Sequence, residues 1–530
     1  MIASVVLGLG LAVSGASAAP RATQDDRTLV IGSGFFDYID PALLLDPSSQ
    51  PAISSALAQW AVADATCAML LRYPVGAPTK QDYRLVPEVA ADYPNVSPDG
   101  KTYTFTIRKG FRFHTGALVT AANYARAIDR ARSPLLGSPA LKYLQEVGAV
   151  SATGNRLVIR LTKRVPDFPA RMTMPYLCPV PQELPIAPEG VAAPPPGSGP
   201  YYVAEFVPGK QVVLKRNSYY PRPRAQHFDQ IVVRVGDEAS AWSREVEAGT
   251  GDVDFNVPVP RLAELGARYA VNKTQLFAIP SANVYYLYMN TARPLFRRNV
   301  KLRQAVNFAI DRRQMLSGLG ALWAGSVTDD YLAPGLSGYV DAHLYPLRHP
   351  ELKEAKALAL GHTRSGKAVL YTCNLAPYTG CLENAQTVRD NLEAIGIDVR
   401  IDTFPLATFE TKTGTRGEPF DLTFDRLVVP WVDPYQYVNL LLDGRRIGPT
   451  ENTNRSYFNS AHYNRLMDEA GRLSGRARWV AYGKLAVDLA KNAAPMAAVF
   501  VRYTRFFVSS RIGCVRASAH GFDLASLCLR

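Results

Sequence analysis

The chain has 530 residues and a mass of 58.0 kDa, with 47% hydrophobic and 20% charged residues. That length exceeds one compact core and predicts two or three lobes, while the near-average composition excludes a mainly disordered chain and a polytopic membrane protein. Lysine and arginine number 59 against 46 acidic residues, a formal charge of +13, but the basic residues are scattered and form no stripe, so nucleic acid is not an expected partner.

Ile2 to Ala18 is almost wholly apolar and ends on Ala16-Ser17-Ala18, so residues 1–18 read as an export signal with an A-x-A cleavage site. The stretch falls short of the about 20 apolar residues a spanning helix needs. It also lacks a basic leader, which leaves two readings open: a true start upstream of Met1, or a chain that is not exported by this segment. Ala16 stands where a lipoprotein signal would carry its cysteine, so lipidation there is not expected, and the expected location is periplasmic, cell-surface or secreted.

Six cysteines, an even count in an exported chain, favour disulfides over metal ligands, and no C-x-x-C pair suggests zinc. Cys373 and Cys381 bracket a short turn-rich loop suited to a local bridge. Cys514 with Cys528 would close the C-terminal tail, leaving Cys67 with Cys178. Six buried thiols are the alternative.

In chain order, strands are expected at Thr28 to Ile31, Lys101 to Arg108 and Asn155 to Thr162, with Thr120 capping a helix between the last two. Val191 to Gly199 is a proline- and glycine-rich connector, read as a boundary. Tyr201 to Phe206 and Gln211 to Lys215 flank Pro208-Gly209 as a hairpin, followed by a strand at Gln230 to Val235 and a helix from Glu238. Val284 to Met289 is β-rich, and Val300 to Ile310 and Arg312 to Leu322 are helical. Ala368 to Thr372, Asn384 to Ile395 and Asp398 to Thr403 make a β-α-β series. Ala461 to Asn492 is helical, and Met496 to Val501 and Arg505 to Val508 are strands that return to the sheet of an earlier lobe.

Catalytic signatures fail. Gly361 to Lys367 has phosphate-loop spacing, but Ala368 replaces the magnesium-binding hydroxyl and a strand follows, so it reads as a turn. Gly32-Ser33-Gly34 lacks the third glycine of a dinucleotide fingerprint, there is no G-x-S-x-G or H-E-x-x-H, and His114 at a strand end reads as structural. No metal or cofactor is expected. A nucleophile and base distant in sequence remain open.

Four segments carry a family pattern. Ser97 to His114 reads SPDGKTYTFTIRKGFRFH, with Thr120 to Tyr124 continuing as a helix start. Gly197-Ser198-Gly199-Pro200-Tyr201-Tyr202 is followed at set distances by Val207-Pro208-Gly209 and Leu214 to Asn217. Asn290, Pro294-Leu295-Phe296, Val300 to Ala305 and Ala309 to Arg312 form the third, and Trp431-Val432-Asp433-Pro434 the fourth. In this order they resemble the family 5 extracellular solute-binding proteins, the peptide and nickel receptors of ABC importers, over most of the mature chain.

The resemblance implies an α/β, two-lobed periplasmic-binding-protein type II fold with an additional inserted domain, of the cluster C kind. Lobe I would comprise 28–60, 197–280 and 490–530, the inserted domain 61–196, and lobe III 281–489. It implies a monomeric, non-enzymatic receptor that closes on a peptide or other small organic solute and delivers it to membrane permease subunits. The alternative is an exported hydrolase or a ligand sensor on the same scaffold.

Segments the family places at the cleft supply the ligand-binding candidates Phe36, Tyr38, Asp425, Trp431, Asp433 and Tyr435, aromatic side chains for an apolar pocket and acids for charge. The aromatics also suit a core, and Asp433 also suits an N-cap before Pro434. In peptide-binding members the acid that pairs with the ligand's ammonium stands four positions before the cleft proline. Counting back from Pro434 reaches Pro430, which can make no such bond, although Asp425 and Asp433 flank it. Weak dependence on a free α-amine is therefore implied.

Overall fold

The computed structural model describes residues 27–33, 36, 39–45, 53–76, 82–221, 224–236, 239–255, 257–320, 322–374, 380–428, 430–519 and 521–530. The expected export signal, 1–18, and Tyr38 lie outside the described residues. An eleven-stranded mixed sheet organises the molecule. At its centre run two long antiparallel strands, Leu276–Met289 and Met496–Val508, rich in the aromatic and β-branched residues that suit a pleated, buried surface. On one side lie Val253–Asp254, Thr28–Ser33, Gln230–Val235, Gln211–Arg216 and Tyr201–Val207; on the other lie Leu422–Leu427, Lys367–Cys373 and Asp398–Phe404. Each group forms one lobe, and the two central strands belong to both.

The crossing between lobes is irregular. The central ladder breaks between Pro280 and Val284 and shifts again between Tyr285 and Tyr286. Pro280 has no N–H to give, and Ser281 Oγ instead donates to the Arg502 carbonyl at 2.6 Å while accepting from Asn283 N at 3.1 Å. Such breaks bend a strand, which is what a hinge needs.

A separate antiparallel sheet, in the order Asn95–Val96, Thr102–Thr106, Arg156–Leu161, Val147–Thr153, forms the body of the segment inserted after the first lobe strand. Its alternation is visible in Arg156–Leu161, where Leu157, Ile159 and Leu161 are buried. Helix Ala121–Ala131 packs beside it, and its N-cap Thr120 donates its main-chain N–H to Asn123 Oδ1 at 2.8 Å. A buried ion pair, Arg130 with Asp40 at 2.6 Å, ties this body to the first lobe.

The Gly197 to Tyr202 motif has a packing role. Ser198 N and Gly199 N both donate to Thr66 O, at 3.0 and 2.8 Å, and Ser198 Oγ accepts from Ala68 N at 3.0 Å, which satisfies groups left open at the end of helix Ile53–Thr66. A Cβ on Gly199 would sit 2.5 Å from Cys67 N, so only glycine allows the approach. His114 Nδ1 accepts from Gly197 N at 3.2 Å, its ring stacks on Tyr202, and burial lowers its pKa.

Three elements differ from expectation. The helix expected over Ala461 to Asn492 is broken into Ala461–Arg472 and Gly475–Asp488, because Leu473 and Ser474 are extended and Gly475 takes φ +53°. Helix Arg312–Ser317 is shorter than expected, since Gly320 adopts φ +93° against Val259. Met496 to Val508 is one strand rather than two: Arg502, Tyr503 and Thr504 keep partners in Gly325, Pro280 and Ile279.

The six cysteines form Cys67–Cys178, Cys373–Cys381 and Cys514–Cys528, the pairs suggested by spacing. No helix among the described residues is long and apolar enough to cross a membrane.

Candidate functional site

Strand Leu422–Leu427 ends beside the break in the central ladder, where Leu427 pairs with Val284, and the chain beyond it leaves the sheet to face the inserted body. Trp431 does not sit in an open pocket. It is 3% exposed, packed in the core of the inserted body, with its ring edge-on to Tyr143 at 5.1 Å and the Arg171 guanidinium 5.1 Å from the ring centre. Its Nε1 donates to Asp167 Oδ2 at 2.9 Å. The exchange is reciprocal, because Tyr73 and Tyr83, which precede the separate sheet in the chain, pack in the core built around Tyr286, Tyr437 and Tyr482. Tyr73 Oη donates to the Val432 carbonyl at 2.9 Å and accepts from Val432 N at 2.8 Å, and burial raises its pKa.

Charges in this contact are paired. Arg171 holds Asp167 and Glu146, at 3.2 and 3.0 Å. Burial opposes the Arg171 charge, but Asp167 and then Glu146 outweigh it and raise its pKa; Glu146, likewise disfavoured by burial, is lowered by Arg171. Asp433 accepts two hydrogen bonds from Arg478, at 2.6 and 2.9 Å, and its Oδ1 also takes Tyr435 N at 2.9 Å, so it closes the turn and forms an ion pair at once. Tyr435 is raised by burial and then by Asp167, which places it on the same contact.

The other candidates lie apart from this cluster. Asp425, on the strand, pairs with Arg455 at 2.9 Å. Phe36 is 2% exposed in the core of the first lobe, 6.4 Å from Phe206. Sequence reasoning missed Tyr73, Asp167, Arg171 and Arg478. Only the four-residue spacing of Asp167 and Arg171, which predicts a helical pair, was readable beforehand.

Beside Tyr73 a recess of about 10 Å³, room for about one water, is lined by Asp64, Met69, Arg72, Tyr73, Thr173, Ser518 and Ala519. It lies between the inserted body and the C-terminal tail, one residue from the Val432 contact. A two-lobed sheet whose shared central ladder is broken, with a further body packed against it, suits capture of a solute by closure.

Residues 84–449 match the bacterial extracellular solute-binding proteins, family 5, middle region. Heme-binding protein A of Haemophilus influenzae is 24% identical over 463 residues, 81% of each chain. The glutathione-binding protein GsiB of Salmonella paratyphi A is 29% identical over 247 residues, 46% of this chain and 47% of that protein. The solved structure of clavulanic acid biosynthesis oligopeptide binding protein 2 superposes with a TM-score of 0.78 over 95% of both chains at 21% identity, a likeness of fold. The fold is the two-lobed, α/β periplasmic-binding type. With the matched region spanning more than half of its length, the chain belongs to the bacterial extracellular solute-binding proteins of family 5.

Proposed function

We propose that the protein is the extracytoplasmic receptor of an ABC importer, which captures a peptide or another small organic solute by hinge closure and delivers it to membrane permease subunits. The observation that carries this reading is the double exchange across the seam: Trp431 enters the inserted body while Tyr73 enters lobe III, on either side of a central ladder broken at Pro280. Closure made of such contacts is reversible, and a ligand touching both walls stabilises it. The relatives that bind heme, glutathione and oligopeptides support a small-solute class of ligand. A monomer without enzymatic turnover, exported and not lipidated at Ala16, completes the reading. The hydrolase and sensor alternatives draw no support from a family of solute-binding proteins.

Lobe III is a poor source for an ammonium anchor. Pro430 stands at the position the family uses, Asp425 is engaged by Arg455, and Asp433 by Arg478. Native mass spectrometry of protein purified without refolding tests the receptor reading, with small-angle scattering as companion. A retained solute and a radius of gyration that falls on adding it are expected. Steady product release from that solute would sink the non-enzymatic claim.

A further inference from the structure

The four-stranded sheet of the inserted body has one face in the core and one face open. Leu157, Ile159 and Leu161 of strand Arg156–Leu161, with Tyr103 and Phe105 of the neighbouring strand Thr102–Thr106, point into the core. The alternate residues face outward, and Thr106, Ser151, Thr153, Arg156 and Arg160 are exposed. Register sets Arg156 between Thr106 and Thr153, and Arg160 between Thr102 and Ala149. No strand of this sheet carries an acidic residue, so nothing across the ladder neutralises the two guanidinium groups.

The ends of the strands add to this charge. Lys101, Arg108 and Lys109 flank strand Thr102–Thr106 and are all exposed. Among the described residues none of these three, nor Arg156 or Arg160, forms an ion pair. The acids on the same borders are Asp92 and Asp99, two against five cations, and Asp99 Oδ1 accepts from Ser97 Oγ and from Lys101 N at 3.0 Å. At the outer strand Asn95–Val96, Tyr93 and Val96 are 52% and 48% exposed, so an aromatic and an aliphatic side chain border the basic face. Basic residues dispersed along the sequence thus meet on one surface, where an anionic partner would relieve their mutual repulsion.

We propose that the open face of this sheet, with Arg156 and Arg160 at its centre, is a membrane-contacting surface that rests on anionic phospholipid headgroups. A folded acidic partner would call for a shaped, partly apolar centre, whereas the centre here is arginine, threonine and serine. An extended anionic surface asks only for cations on a sheet face, and Tyr93 and Val96 suit the boundary between headgroups and acyl chains. The proposal goes beyond solute capture and takes from the receptor reading only that the protein works beside a membrane.

Vesicle sedimentation tests this with protein beginning at Ala19, which keeps every described residue and omits the apolar segment that would itself enter a bilayer. Vesicles of phosphatidylglycerol and phosphatidylcholine in equal parts are compared with phosphatidylcholine alone. The protein pellets with the anionic vesicles and not with the neutral ones, and added salt releases it. Arg156→Gln combined with Arg160→Gln weakens the binding by about 30-fold, the scale of two basic side chains at an anionic surface. Both positions are exposed, so this variant melts with wild type. Lys353→Gln combined with Lys356→Gln, an equal loss of charge at exposed positions of helix Leu352–Ala359, binds as wild type does. Failure to pellet with anionic vesicles, equal pelleting with neutral ones, or equal losses in the two double variants overturns the surface. Tighter binding to duplex DNA that is lost in the Arg156 and Arg160 variant would assign the face to nucleic acid and overturn it as well. Solute retention and compaction are read separately, so each of these failures leaves the receptor reading in place.

Discussion

Trp431 Nε1 donates to Asp167 Oδ2 at 2.9 Å across 264 positions of sequence, joining lobe III to the inserted body through one buried hydrogen bond to a charged group. Arg171 shares the same carboxylate, so the bond belongs to a network that also fixes the Trp431 ring. Breaking it affects the meeting of the two bodies more than either body alone.

Trp431→Phe keeps the ring against Tyr143 and removes the donor. The contact between the two bodies should lose about 1.5–3 kcal/mol, the usual worth of a hydrogen bond to a charged group. Small-angle scattering of ligand-free protein should show a larger radius of gyration than wild type, with thermal stability little changed. An unaltered radius would mean that this bond does not hold the bodies together.

Asp433 and Arg478 form a buried bidentate pair, so removing one partner strands the other charge. Asp433→Ala should cost about 3–5 kcal/mol in urea unfolding, and adding Arg478→Met should recover part of that loss. If the double variant is as unstable as the sum of the singles, the pair is not coupled.

Asp330 sits 5% exposed near Asp329, and burial chiefly raises its pKa from 3.8 to about 7. A raised acid binds its proton more tightly in the folded state, so stability falls as pH rises from about 4 to about 7 and levels off above. Asp330→Asn can keep the 2.7 Å bond from Leu332 N and cannot ionise. It should be more stable than wild type by a few kcal/mol at pH 7.5 and nearly equal to it at pH 4, the size following from about 1.4 kcal/mol per unit. Parallel stability curves for the two proteins across this window would exclude Asp330 as the source.

Gly199→Ala would drive a Cβ to 2.5 Å from Cys67 N and the Thr66 carbonyl carbon, both backbone atoms with little room to yield. A loss at the upper end of the about 1–3 kcal/mol typical of overpacking is expected in denaturant melts, together with slower formation of the adjacent Cys67–Cys178 bridge. A neutral substitution would show that the Thr66 helix end can retreat.

Where contacts are local, the sequence was sufficient. The hairpin around Pro208-Gly209, the strand Gln230–Val235, the cap at Thr120 and the short bridge Cys373–Cys381 follow from turn chemistry, alternation and loop length, all set within about ten residues. The ordered motifs also carried the family and therefore the two-lobed plan. What tertiary structure alone decided is the use of each side chain. Trp431 reads equally as pocket or core until Asp167 and Tyr143 arrive from the inserted body, and Asp433 reads as a cap until Arg478 joins it. The strand Met496–Val508 looks interrupted at Arg502 until Gly325, Pro280 and Ile279 supply its partners. The reason is physical: turn and strand preferences are properties of neighbouring residues, whereas burial and charge pairing depend on groups brought together from hundreds of positions away, whose spacing leaves no periodic trace in the chain.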